Sequence, residues 1–216
     1  MKLLRERSEI ELNLTNVVLL ATARAGTIEM PEVRKLQGWL HPPLEISQLV
    51  GQGWTVSSMR DQIEVVVLGS RVEIKDHSGN RDFSKLSKAV ATALKLTGVR
   101  SRAYGINFEI SLPVEYGDSP GLFVAQNLLD YGRVSKVAPV RYAAVELRFA
   151  LDDREIGLVF QPRRRPEDPV DLVLSANAHH DVDIRDLSAF GTALDVALRT
   201  KIGTTLEQVL DLVESL

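Results

Sequence analysis

Five consecutive residues, His179-His180-Asp181-Val182-Asp183, set two of the chain's four histidines beside two carboxylates. Imidazole and carboxylate are the groups that hold a zinc-type metal or pass protons in a small hydrolase. Ligands share an ion when their side chains converge, as at i and i+4 on a helix or i and i+2 on a strand. The residues before the cluster read as a strand, so His179 and His180 point to opposite faces and do not readily share a metal. His179, Asp181 and Asp183 face one way, but an extended chain spreads i and i+4 too widely for one ion. A sharp turn between strand and helix is the condition for convergence. The same residues also have ordinary structural uses, Asp183 as a helix N-cap and Asp181 as a turn residue.

Two further groups invite a binding role. Arg163-Arg164-Arg165 lie between Pro162 and Pro166, and guanidiniums on a proline-stiffened loop suit phosphate, nucleic acid or an acidic partner. Glu167, Asp168 and Asp171 follow and partly neutralise them, and no interleaved aromatic residue offers a base a stacking surface, so a solvated charged loop is the competing reading. Trp39 and Trp54, the only tryptophans, bracket a segment rich in proline and glycine. Tryptophan is enriched at binding hot spots, which makes these two the expected contacts for a protein partner; the alternative is that they seal the core beneath an irregular loop. Gly51-Gln52-Gly53 lacks the third glycine, the preceding strand and the following helix of a dinucleotide fingerprint. There is no Gly-Lys-Ser/Thr phosphate loop and no Gly-x-Ser-x-Gly elbow. No cofactor is expected.

Composition narrows the classes further. The chain has no cysteine, which removes disulfides, cysteine nucleophiles and thiolate metal sites and fits a reducing cytoplasm. With 44% hydrophobic and 25% charged residues it matches an ordinary globular protein, so no long disordered stretch is expected. The run Val17-Val18-Leu19-Leu20-Ala21 is too short to span a bilayer, and the charged start, Met1 to Arg7, leads into no signal-peptide core. A cytoplasmic protein with no membrane association follows. A net charge of −3 argues against a general nucleic-acid binder.

The elements that must position these residues are strands and helices in roughly equal measure. Residues 9–23 form a long strand, with Ile10, Leu12 and Leu14 alternating with Glu11 and Asn13 before both faces turn apolar. Pro31 opens a short helix carrying Val33, Leu36 and Leu40, which His41-Pro42-Pro43 stops. The segment between Pro43 and Gln62, with Gly51-Gln52-Gly53 before Trp54, shows no clear period and reads as irregular. A hairpin joins 62–68 to 71–76 through Gly69-Ser70, a pair suited to a type II′ turn. Asp82 caps a helix running to about Thr97, and Gly98 ends it. Residues 103–112 are the clearest strand: Tyr104, Ile106, Phe108, Ile110 and Leu112 line one face, Gly105, Asn107, Glu109 and Ser111 the other. A short helix over 122–131 precedes a meander of 141–150, 155–161 and 170–178, with Asp152-Asp153 at its first turn. A helix over 184–200 with a stripe of Leu187, Phe190, Leu194 and Leu198 is broken at Gly203. Thr204 and Glu207 then form a capping box for a last helix.

Hairpins and a meander with segregated helices predict an α+β domain: an antiparallel sheet with helices mainly on one face. The halves 1–113 and 114–216 share a grammar of leading strand, hairpin and helix, which suggests a pseudo-duplication within one domain. The expected function is that of a non-enzymatic interaction or assembly subunit, bound to a protein partner or to itself. A small hydrolase using His179, His180, Asp181 and Asp183 is the rival, and anion binding through Arg163, Arg164 and Arg165 a third reading.

Overall fold

The computed structural model describes residues 6–7, 10–21, 35, 38–49, 53–68, 71–97, 100–112, 120–136, 143–151, 154–162 and 172–216. Its strands are β1 (Glu11–Ala21), β2 (Leu44–Leu49), β3 (Gly53–Ser58), β4 (Ile63–Leu68), β5 (Arg71–Asp76), β6 (Ser101–Leu112), β7 (Val145–Leu151), β8 (Arg154–Pro162) and β9 (Leu172–His180). All nine join one antiparallel sheet in the order β2-β3-β4-β5-β1-β6-β9-β8-β7. Four α-helices can be bounded among the described residues: α1 (Ser84–Thr97), α2 (Pro120–Leu128), α3 (Tyr131–Val134) and α4 (Leu194–Ser215), with a 3-10 helix (Ile184–Gly191) ahead of the last. This is the α+β architecture that the strand and helix patterns predict.

The order of elements repeats about a boundary ahead of β6, not at the residue 113 expected from sequence, where β6 would close the first half. In each repeat, the leading strand (β1 or β6) lies at the sheet centre, a meander returns toward it from the outside, and a helix follows the last meander strand. β1 and β6 pair antiparallel at the seam, and α1 packs on α4. The alternation of β6 is the one read from sequence: Tyr104, Ile106, Phe108, Ile110 and Leu112 are all buried in the core. Val72 and Ile74 of β5, Ile156, Leu158 and Phe160 of β8, and Leu172 and Leu174 of β9 complete that face. α1 contributes Leu86, Val90 and Leu94, α2 Phe123 and Val124, and α4 Leu198, Ile202, Leu206 and Val209 to the same cluster. α1, α2 and α4 therefore share one side of the sheet.

Four local readings need correction. Residues 44–58, read as irregular, form the hairpin β2–β3, with Leu44 opposite Ser58 and Leu49 opposite Gly53. An edge strand needs only one apolar face, and the polar residues of Glu45-Ile46-Ser47-Gln48 hide that period. Secondly, Gly203 lies inside α4, and the break falls at Thr192-Ala193. Thr204 is not a cap; its Oγ1 donates to the Lys201 carbonyl. Burial of Ile202, Thr205, Leu206, Val209, Leu210 and Val213 along one face outweighs the cost of about 1 kcal/mol that glycine brings to a helix. Thirdly, α1 begins at Ser84, and the Asp82 side chain accepts from Ser84 Oγ. Phe83, at φ 52°, turns the chain into the helix and offers its carbonyl to the Ser87 amide. Finally, a register shift between Leu12 and Leu14 interrupts the simple alternation of β1: Leu12 is core, whereas Leu14 lies on the other face with Asn16.

Of the helix expected from Pro31 to Leu40, Lys35 is helical while residues 38–40 are turn and bend, so Leu40 lies beyond it; the turns Gly69-Ser70 and Asp152-Asp153 and the helix end at Gly98 lie outside the described residues. The strands flanking the turns pair in the predicted registers, Leu68 with Arg71 and Leu151 with Arg154. No described helix is long and apolar enough to cross a membrane.

Candidate functional site

Alternation puts the two adjacent imidazoles on opposite sides of β9. His180 is 2% exposed and stacks on the Tyr104 ring at 4.5 Å and 17°, directly across the sheet. His179 emerges on the second face, its side chain 40% exposed, with Nε2 3.0 Å from Asp181 Oδ1. Asp183 caps the 3-10 helix: its Oδ1 accepts from the Arg185 amide at 2.9 Å and from Ser101 Oγ at 3.1 Å. The cluster is thereby divided among a core ring, a surface pair and a cap. Among the described residues no three His, Asp or Glu side chains gather as a metal would require.

Trp39 and Trp54 are partly buried and pack against the core. Arg163, Arg164 and Arg165 lie outside the described residues. A third arrangement, invisible in the sequence, brings His41, Ser58 and Asp61 together. His41 Nδ1 is 2.9 Å from Asp61 Oδ1, and its backbone amide donates to Asp61 Oδ2 at 2.7 Å. Ser58 Oγ reaches the His41 carbonyl at 2.7 Å and Asp61 Oδ2 at 3.0 Å, and accepts from the Asp61 amide. Partial burial pushes the Asp61 carboxyl up, but the hydrogen bonds from His41 and Ser58 prevail and hold it below its ordinary value. The residue types are those of a hydrolytic triad, yet the geometry differs: Ser58 is buried and its hydroxyl turns to a carbonyl and a carboxylate, not to the ring. A nucleophile needs its base within reach of its own proton. These bonds fasten the 38–43 segment to the β3–β4 turn.

The chemically able surface is the second face of the sheet. One row of register partners crosses its centre: Lys75, Asn16, Asn107, Asn177, Gly157 and Arg148, on β5, β1, β6, β9, β8 and β7 in turn. Asparagine is disfavoured in strands, so three abreast at the middle of a sheet is an unusual concentration of amides. Asn177 Nδ2 donates to Asn107 Oδ1. Asn16 is only 7% exposed, and its Oδ1 has no hydrogen-bond partner among the described residues. A buried, unmet carbonyl costs about 1–3 kcal/mol.

A cleft of about 370 Å³ opens over this row. Its floor includes Asn16, Asn107, Asn177 and Gly157, and carboxylates line it at Glu109, Glu146 and Glu155. Arg148 is held by Glu146 at 2.9 Å and Glu155 at 3.4 Å, which raises its pKa. Glu109 has no ion pair among the described residues, and it also borders a second, polar cleft with His77, Gly79 and Arg81. At Gly157 a Cβ would meet nothing within 4 Å, so the missing side chain keeps the cleft open. The surface offers hydrogen-bond acceptors and a surplus of negative charge, matched to a donor-rich cation. The signal in the sequence was the placement of Asn107 and Asn177 on the polar sides of their strands, but only the register aligns them with Asn16.

No protein-family model matches the chain, and no curated protein matches it.

Proposed function

We propose that the protein is a non-enzymatic binding subunit that takes a basic side chain, lysine or arginine, of a protein partner into the asparagine-floored cleft. The observation that carries this reading is the cleft floored by Asn16, Asn107 and Asn177 and walled by Glu109, Glu146 and Glu155. An ammonium or guanidinium supplies hydrogen-bond donors and the charge opposite to that of the glutamates at once.

The test uses N-acetyl-arginine amide and N-acetyl-lysine amide as probes, with N-acetyl-glutamine amide as the neutral control. Side-chain amide resonances of Asn16, Asn107 and Asn177 are followed by NMR in the labelled protein. The basic probes are expected to shift these signals in the millimolar range, and Gly157→Val, which fills the open space, to abolish the shift while the fold is retained. Absence of a shift, or an equal shift with the neutral control, overturns the reading.

A further inference from the structure

We infer that two copies of this chain associate through the outer edge of β7, in an antiparallel pair centred on Leu147, so that their sheets become continuous. β7 closes one end of the sheet and pairs with β8 on one side only among the described residues. An unpaired edge is a template for another strand unless charge, proline or a bulge blocks it. β7, Val-Glu-Leu-Arg-Phe-Ala-Leu, holds no proline, and its pairing with β8 has no register shift. Val145 is buried, Leu147 and Phe149 are half-buried on the core side, and Leu151 at its end is exposed.

Charge selects the register. In a two-fold antiparallel pair, opposed residues lie on the same face, so the axis passes through one residue of the strand. Centring on Glu146 opposes the two Glu146 side chains, and centring on Arg148 opposes the two arginines; like charges directly across destabilise. Centring on Leu147 sets Glu146 opposite the second copy's Arg148, twice, with each charge flanked by its opposite along the strand as well. The core-side residues then meet as Leu147 with Leu147 and Val145 with Phe149. Glu146 and Arg148 also wall the cleft, so this pairing brings two clefts side by side across one seam. The inference does not rest on the basic-ligand reading; it rests on the edge and its charges.

The chain has no cysteine, so a single introduced thiol reports self-association alone. Opposed residues of an antiparallel pair lie about 4.5–5.5 Å apart at Cα, inside the range a disulfide spans. Leu147→Cys is expected to form a covalent dimer on mild oxidation, and Ile46→Cys, on the opposite edge, to remain monomeric. Sedimentation equilibrium is expected to show a dimer of the native chain. Glu146→Arg and Arg148→Glu should each weaken it by about tenfold or more, and the double exchange should restore it. A native chain that is monomeric at hundreds of micromolar, a dimer indifferent to both single reversals, or cross-linking through Cys at 46 instead of 147 overturns the inference. Gly157→Val separates the two proposals, since it blocks the cleft and leaves the β7 edge intact.

Discussion

Replacing Gly203 with alanine separates the helix break expected from sequence from the continuous helix of the structure, because the two give opposite signs. Gly203 sits in the third turn of α4, outside the left-handed region, and a Cβ built there meets nothing within 4 Å. Alanine therefore introduces no clash. It lowers the backbone entropy of the unfolded chain, a gain of about 0.5–1 kcal/mol. For a chain of this size that raises Tm by roughly 1–4 °C. Thr204→Ala acts in the same direction, since a mid-helix threonine is a poorer helix former than alanine by up to about 0.7 kcal/mol. If Gly203 instead ended a helix and Thr204 capped the next, the alanines would destabilise: the first by forcing a side chain into a left-handed turn, the second by about 1 kcal/mol for a lost cap. Urea unfolding followed by far-UV circular dichroism gives both values, and an unchanged m-value shows that the unfolded state has not shifted. A fall in the midpoint for either variant would refute the continuous helix and the packing argument behind it.

Other perturbations follow from particular contacts. Gly79 has φ +67°, and a Cβ there would stand 2.7 Å from the Leu12 carbonyl oxygen; Gly79→Ala is expected to cost about 2–4 kcal/mol by strain and clash together, read from thermal unfolding. The adjacent histidines should differ sharply: His180→Ala empties a buried site against Tyr104 at a cost of about 2–4 kcal/mol, whereas His179→Ala stays within about 0.5 kcal/mol. Asp61 has a folded pKa below its unfolded value, so its stabilisation is present above the unfolded pKa and is lost as pH falls through the folded one. Asp61→Asn is expected to lower stability by about 1–2 kcal/mol at neutral pH, and the gap from the native chain should close on acidification below about pH 4; a gap independent of pH would contradict the assigned bonds.

The strands that alternate cleanly were legible because burial on one face leaves a period of two that survives any tertiary context. β6 shows this with Tyr104 to Leu112 against Asn107 and Glu109, and β8 and β9 follow suit. α1 was legible through Leu86, Val90 and Leu94. The edge hairpin β2–β3 was not, since a strand paired at the margin of a sheet carries too few apolar residues to reveal its period. α4 was cut in two because glycine is a local signal, whereas the apolar stripe that overrides it acts through packing on the sheet and on α1. The histidine cluster illustrates the same division: the alternation of a strand is enough to separate His179 from His180, and the capping role of Asp183 could be read from its place ahead of the helix.

The sequence by itself determined the class of fold and the face of each regular strand that turns inward. Those properties are written in neighbours a few residues apart, through the periods of two and 3.6 that burial imposes. Tertiary structure alone decided which strands lie side by side, and with that the site. Asn16, Asn107 and Asn177 are separated by 91 and 70 positions, and no local pattern links them. Two long-range registers, β1 with β6 and β6 with β9, bring the three amides abreast.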